Sequence, residues 1–139
     1  MNTQKPVSRL LRGLSRFIPR YRVPHSHLPR PRRRVILQES PLAGFQYHRA
    51  PAIWPFLQVG EALHLRREPS NAHDRYAIAV WFRNEHLGYI PQRDNRTLAR
   101  LLDQGERLET TIVRLLDEEQ NPWRKIRLQV AWVADRALG

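Results

Sequence analysis

The chain contains no cysteine among its 139 residues. Thiol catalysis, cysteine-based zinc sites and disulfide staples are therefore excluded, and the composition is compatible with a reducing compartment without establishing one. No apolar run approaches the ~20 residues that cross a bilayer, so the expectation is a soluble or at most peripheral protein. A phosphate-binding glycine loop is also missing. Acidic residues are absent from a long stretch: residues 1–34 hold ten cations and no carboxylate, while residues 35–139 hold 14 cations and 13 acids. The net charge of +11 thus divides into +10 and +1. The polycation is the tail, and the basic balance alone would overstate nucleic-acid binding by the remainder.

Within that tail, Leu10, Leu11, Leu14, Phe17 and Ile18 fall at helical spacing with Arg9, Arg12, Arg16 and Arg20 mostly between them. This predicts an amphipathic basic helix over Val7 to Ile18, ended by Pro19. A membrane-surface helix, an organelle presequence, a nucleic-acid-binding arm and a solubilising extension all fit that pattern. From Arg20 to Arg34, Pro24, Pro29 and Pro31 alternate with arginines, which predicts extended, unstructured chain. His25 and His27 lack further ligands, so no metal is expected there. The division expected is a basic Arg/Pro-rich tail over residues 1–36 and a folded domain over 37–135.

At 139 residues there is room for one domain of about 100 residues, enough for a viable core. Alternating apolar runs mark its strands. Pro41 to His48 is the expected first strand, with Gly44 at a bend. Glu61 to Arg67 is the second, and Tyr76 to Arg83 with His86 to Ile90 form a hairpin turning near Asn84 and Glu85. Asp94 or Asn95 can cap a helix that runs to about Gln104 and stops at Gly105, with Leu98, Leu101 and Leu102 on one face. Leu108, Thr110 and Ile112 alternate in a fifth strand, and Ile126, Leu128, Val130 and Trp132 in a sixth. The acidic run Asp117-Glu118-Glu119 between them is a solvated hairpin tip. Ile53, Trp54 and Phe56 plug one end of the fold, or Trp54 serves as an exposed stacking platform.

The stretch Leu65 to Val80 is the chemical centre of the sequence. Arg66, Arg67 and Arg75 flank Glu68 and Asp74, with Asn71 and His73 between. Asn71 and Asp74 can be turn formers that bond nearby backbone N–H groups, or polar groups converging on a ligand. Glu68, His73 and Asp74 could make an acid/base or metal site on paper, but one short turn lacks the convergent second element that catalysis needs.

These residues resemble the signature of the HIRAN domain family: Arg67-Glu68-Pro69, then Asn71, Asp74 and Ala77-Ile78-Ala79-Val80. The resemblance extends upstream through Ala43-Gly44-Phe45-Gln46-Tyr47 and Val59-Gly60-Glu61-Ala62-Leu63. Downstream it includes Leu87-Gly88-Tyr89-Ile90-Pro91 and the Leu-rich helix, so that it covers about Pro41 to Val133. It implies a mainly β fold, a small OB-like six-stranded barrel with one or two short helices, here preceded by a basic, largely disordered tail. It also implies binding of single-stranded DNA by its free 3′-hydroxyl end. The best understood members are fork-remodelling ATPases; these 139 residues contain no such motor, and the expectation is a stand-alone module.

Such a barrel holds single strands by stacking bases on aromatic rings and holding phosphates with cations. Tyr47, Tyr89 and Trp123 are the stacking candidates. The resemblance places Tyr47 against the terminal base, Tyr89 beside the DNA and Trp123 in the last hairpin. Asp74 faces a polyanion favourably only if it accepts a hydrogen bond from a hydroxyl, which a free 3′ end supplies. Asn71 then bonds a base or the sugar. Three positions depart from the family pattern. His73 stands where a tyrosine is common, His48 where a second aromatic is frequent, and Gln46 where a basic residue can occur.

The function expected is non-enzymatic recognition of single-stranded DNA 3′ ends in repair or replication. Repair or replication proteins are the expected partners, with no cofactor and no small-molecule substrate. The location expected is cytoplasmic and nucleoid-associated, with organelle targeting by the tail left open. The alternative is an RNA-associated or membrane-surface protein whose basic tail dominates binding.

Overall fold

A computed structural model of the chain describes residues 32–135. The helix expected over Val7 to Ile18, the two tail histidines and most of the Arg20 to Arg34 stretch lie outside the described residues. Six strands are described: β1 (Arg32–Pro41), β2 (Ala62–Arg67), β3 (Ile78–Phe82), β4 (Glu85–Tyr89), β5 (Arg107–Leu115) and β6 (Ile126–Asp135). They form one antiparallel sheet in the order β1-β6-β5-β2-β3-β4. Helix α1 (Ala50–Ile53) follows β1, and helix α2 (Gln92–Asp103) follows β4. Short 3-10 turns occupy Phe45–Tyr47, Trp54–Phe56 and Pro122–Arg124. This is the mainly β architecture with short helices that the sequence implied.

The alternating runs turn their larger apolar side chains to the core, and in β3 the small Ala79 between them is buried as well. Leu63, Ile78, Val80, Ile112, Leu128 and Val130 turn inward, and Leu98 and Ala99 of α2 complete the core. The sheet does not end in two unrelated edges. Just past β1, Ala43 exchanges two backbone hydrogen bonds of 2.9 Å with Tyr89 of β4, the strand at the far end of the order. Gly88 makes that approach possible: a Cβ there would overlap the Ala43 carbonyl oxygen and press on Leu42.

Four local expectations need correction. The first strand is not Pro41 to His48. Gly44 adopts a left-handed conformation with φ 75°, and the chain closes a 3-10 turn in which the Tyr47 N–H donates to the Gly44 carbonyl at 3.0 Å. The strand lies upstream, and Arg33 and Arg34, expected as unstructured chain, pair with Ala134 and Val133 of β6. Neither Asp94 nor Asn95 caps α2. Pro91 holds the N-cap position without a side-chain cap, Asp94 sits in the first turn and Asn95 is buried. Phe56 is exposed while Ile53 and Trp54 pack on the core, so the apolar plug is two residues rather than three.

Gly105 does end α2 as expected. It has φ 81°, its N–H donates to Leu102, and the Glu106 N–H donates to Leu101, each at 3.0 Å. That pair of bonds satisfies the last helical carbonyls.

Candidate nucleic-acid interface

The loop between β2 and β3 is built by its own side chains. The Asn71 Oδ1 accepts the N–H groups of His73 at 2.9 Å and Asp74 at 3.1 Å, and the Asp74 Oδ1 accepts the Tyr76 N–H at 2.8 Å. Pro69 and these two successive side-chain turns fold the segment tightly. Arg67 anchors it from below. Its guanidinium donates to the carbonyls of Ala77 at 2.7 Å and Arg75 at 3.0 Å, and forks onto Asp103 at the end of α2 at 2.8 and 3.2 Å. The Arg67 side chain is only 13% exposed, so this charge-assisted clamp is shielded from solvent on its cationic side.

A groove of about 580 Å³ opens beside this loop. Of the eight residues proposed from sequence, Tyr47, His48, Asn71, His73, Asp74 and Tyr89 line it together. They come from three separate segments: the turn after β1, the β2–β3 loop and the end of β4. Gln92, at the start of α2, joins them. Gln46 and Trp123 do not line the groove. Gln46 is exposed on the turn next to Tyr47, and Trp123, 54% exposed, stands on the 3-10 turn that packs against the Phe45–Tyr47 turn.

The walls differ in character. Tyr47 is 78% exposed and offers an open ring. Tyr89 is half-buried and fixed, because its hydroxyl donates to Glu68 Oε1 at 2.9 Å; the same oxygen accepts the Asn71 amide at 3.1 Å. Burial first, and then Glu68, raise the Tyr89 pKa above the ordinary 10.0. His48 lies over His86 with ring centres 4.3 Å apart, and His86 stacks on Trp81 at 5.0 Å, which carries the Arg66 guanidinium 4.4 Å from its centre. Burial and the neighbouring His86 lower the His48 pKa from 6.5, while Glu68 acts in the opposite sense.

Asp74 is half-buried, and its carboxylate is held at both oxygens. Besides the Tyr76 N–H on Oδ1, the Asn95 amide of α2 donates to Oδ2 at 2.6 Å. Asn71 and Asp74 therefore do what turn formers do and also border the groove; the two readings of these residues describe one structure. No lysine or arginine is among the described residues lining the groove. Among the described residues no cluster of three or more metal-ligating side chains occurs.

Sequence reasoning missed Gln92 and Asn95 as parts of this neighbourhood, and it placed Glu68 in the loop without its bond to Tyr89. Asn95 carried only the signal of a polar residue on the apolar stripe of a helix.

The fold and groove together define a class: a small antiparallel β domain whose sheet ends meet, with an aromatic and acidic groove beside that junction. The chain belongs to the HIRAN domain family, whose sequence profile matches residues 35–134. It is similar in structure to a protein from Lactobacillus plantarum. The two share 31% identity and a TM-score of 0.65, over 74% of this chain and 98% of the other. It also shares the fold of the HIRAN domain of human HLTF, with 18% identity and a TM-score of 0.56, over 74% of this chain and 81% of that one. No curated protein sequence matches it.

Proposed function

We propose that this domain binds single-stranded DNA by its free 3′-hydroxyl end, without catalysing a reaction on it, and so serves repair or replication machinery. The observation that carries the reading is Asp74, a carboxylate bordering an aromatic-walled groove that, among the described residues, no lysine or arginine lines. An internal phosphodiester brought there would meet a negative charge. A terminal hydroxyl meets an acceptor instead, and hydrogen bonds to charged groups contribute about 1.5–3 kcal/mol. Tyr47 supplies an open ring for the last base, worth about 1–3 kcal/mol if it stacks, and Tyr89 supplies a rigid wall.

Competition among oligonucleotides that end in 3′-hydroxyl, 3′-deoxy and 3′-phosphate groups tests the reading. The hydroxyl end is expected to bind roughly tenfold or more tighter than the deoxy end, and the phosphate end weakest of all. Equal affinity for all three would refute end recognition. Incubation of labelled strands with Mg²⁺ or Mn²⁺ tests the absence of catalysis, since any shortened product would contradict it.

A further inference from the structure

Helix α2 carries an apolar stripe on the side that faces the sheet, where Leu98 and Ala99 are buried and Leu102 packs against the core. Asn95 lies three and four residues before Leu98 and Ala99, on the same stripe, and is 1% exposed. An aliphatic side chain would suit that position on packing grounds, and burying an amide there is unfavourable unless it is bonded. Its bond is the one to Asp74 Oδ2 at 2.6 Å.

We infer that Asn95 is a positioning residue for end recognition, one that sets the preference for a 3′-hydroxyl by fixing the Asp74 carboxylate while leaving its charge intact. The inference rests on the end-binding reading of Asp74. A carboxylate on a loop can turn about its side-chain torsions. With Oδ1 held by the Tyr76 N–H and Oδ2 by Asn95, those torsions are fixed. Each oxygen keeps further acceptor capacity, because an ionised carboxylate accepts at about four sites. Both partners are neutral donors. A guanidinium or ammonium in place of the amide would hold the carboxylate equally well, but it would cancel the negative charge and attract a terminal phosphate. The amide separates orientation from neutralisation. It also ties the loop to α2 at a second point, distinct from the Arg67–Asp103 clamp.

The test is a double-mutant cycle on the full chain, using labelled single strands that end in 3′-hydroxyl or 3′-deoxy groups, with thermal melts alongside. The readout is the ratio of the two affinities. Asn95→Ala is expected to reduce a wild-type ratio of about ten to about two, leaving affinity for the deoxy end within about twofold. Asn95→Val, which refills most of the space without a donor, is expected to give the same low ratio. The two variants differ in packing and so in melting temperature, and a merely structural role would make the ratio follow the melt. In the Asp74→Asn background, Asn95→Ala is expected to change the ratio no further.

Retention of the wild-type ratio in both Asn95 variants, with its loss in Asp74→Asn, would overturn the role of Asn95 alone. Retention in Asp74→Asn would overturn the end-binding reading, and this inference with it. Should one Asn95 variant fail to fold, the other decides.

Discussion

His48 shows how a single side chain in the groove reports on its surroundings. It faces His86 and Tyr89 from β4 and feels Glu68 from the β2–β3 loop. Burial and His86 depress its pKa below 6.5. As pH falls through 6.5 the unfolded chain takes up a proton that the folded chain still refuses, so the unfolded state binds more protons and stability declines. The decline ends once pH passes the folded-state pKa. Urea melts at about pH 7.5 and about pH 5.5 should therefore show a larger loss of midpoint for the wild type than for His48→Gln, which has no proton to take up. Equal losses in both would show that the pH sensitivity of the fold arises elsewhere.

At the scale of elements, the groove depends on the junction between the turn after β1 and β4. That junction includes the two Ala43–Tyr89 hydrogen bonds, for which Gly88 leaves the space, and a third from the Arg49 N–H to the His86 carbonyl at 2.9 Å. Gly88→Ala drives a methyl group into the Ala43 carbonyl and the Leu42 side chain. Overpacking of this kind costs about 1–3 kcal/mol. The expected result is a lower urea midpoint, together with faster amide exchange at Ala43 and Tyr89 than in the rest of β4. Unchanged exchange at those two amides would show that the sheet ends are held by something other than this bridge.

β2 and β6 were legible because each alternates visibly over part of its length, as with Ile126, Leu128 and Val130, and β3 because its larger apolar residues Ile78, Val80 and Phe82 alternate, although Ala79 between them is buried as well. β1 was not, because Arg32 to Arg34, Ile36 and Leu37 are all exposed. A strand without a buried face in its first half resembles a tail. In the site, Asn71 and Asp74 were legible because they act on backbone within three residues of themselves. The bond between Asn95 and Asp74 crosses 21 residues, and no local pattern encodes a pairing of that kind. The capping expectation went astray at the same spot, since a polar residue near a helix start suits a cap or a buried partner equally well. The family resemblance, not the periodicity, brought Tyr47 and Tyr89 to the β2–β3 loop. Geometry then admitted six of the eight residues to the groove and left Gln46 and Trp123 outside it.

At the scale of the whole molecule, the groups that the proposed reading would use on DNA are separated along the chain. Among the described residues the groove has a carboxylate, imidazoles and rings but no lysine or arginine, while residues 1–31 hold seven cations and no acid. Because β1 begins at Arg32 and pairs along β6, a truncation that spares the sheet must stop at residue 31. Such a truncation lowers the net charge from +11 to +4. If the removed cations neutralise about four phosphates of a single strand, the intact chain's log affinity should change with log salt with a slope of roughly −3. The truncated chain should show a markedly shallower slope. Its ratio of 3′-hydroxyl to 3′-phosphate affinity should be preserved, because that ratio is assigned to Asp74 and its neutral partners. Fluorescence anisotropy titrations between about 50 and 300 mM salt measure both quantities on the same samples. An unchanged slope would move the phosphate contacts onto the folded domain. A ratio that falls with the tail would mean that end discrimination is electrostatic and not a property of the groove.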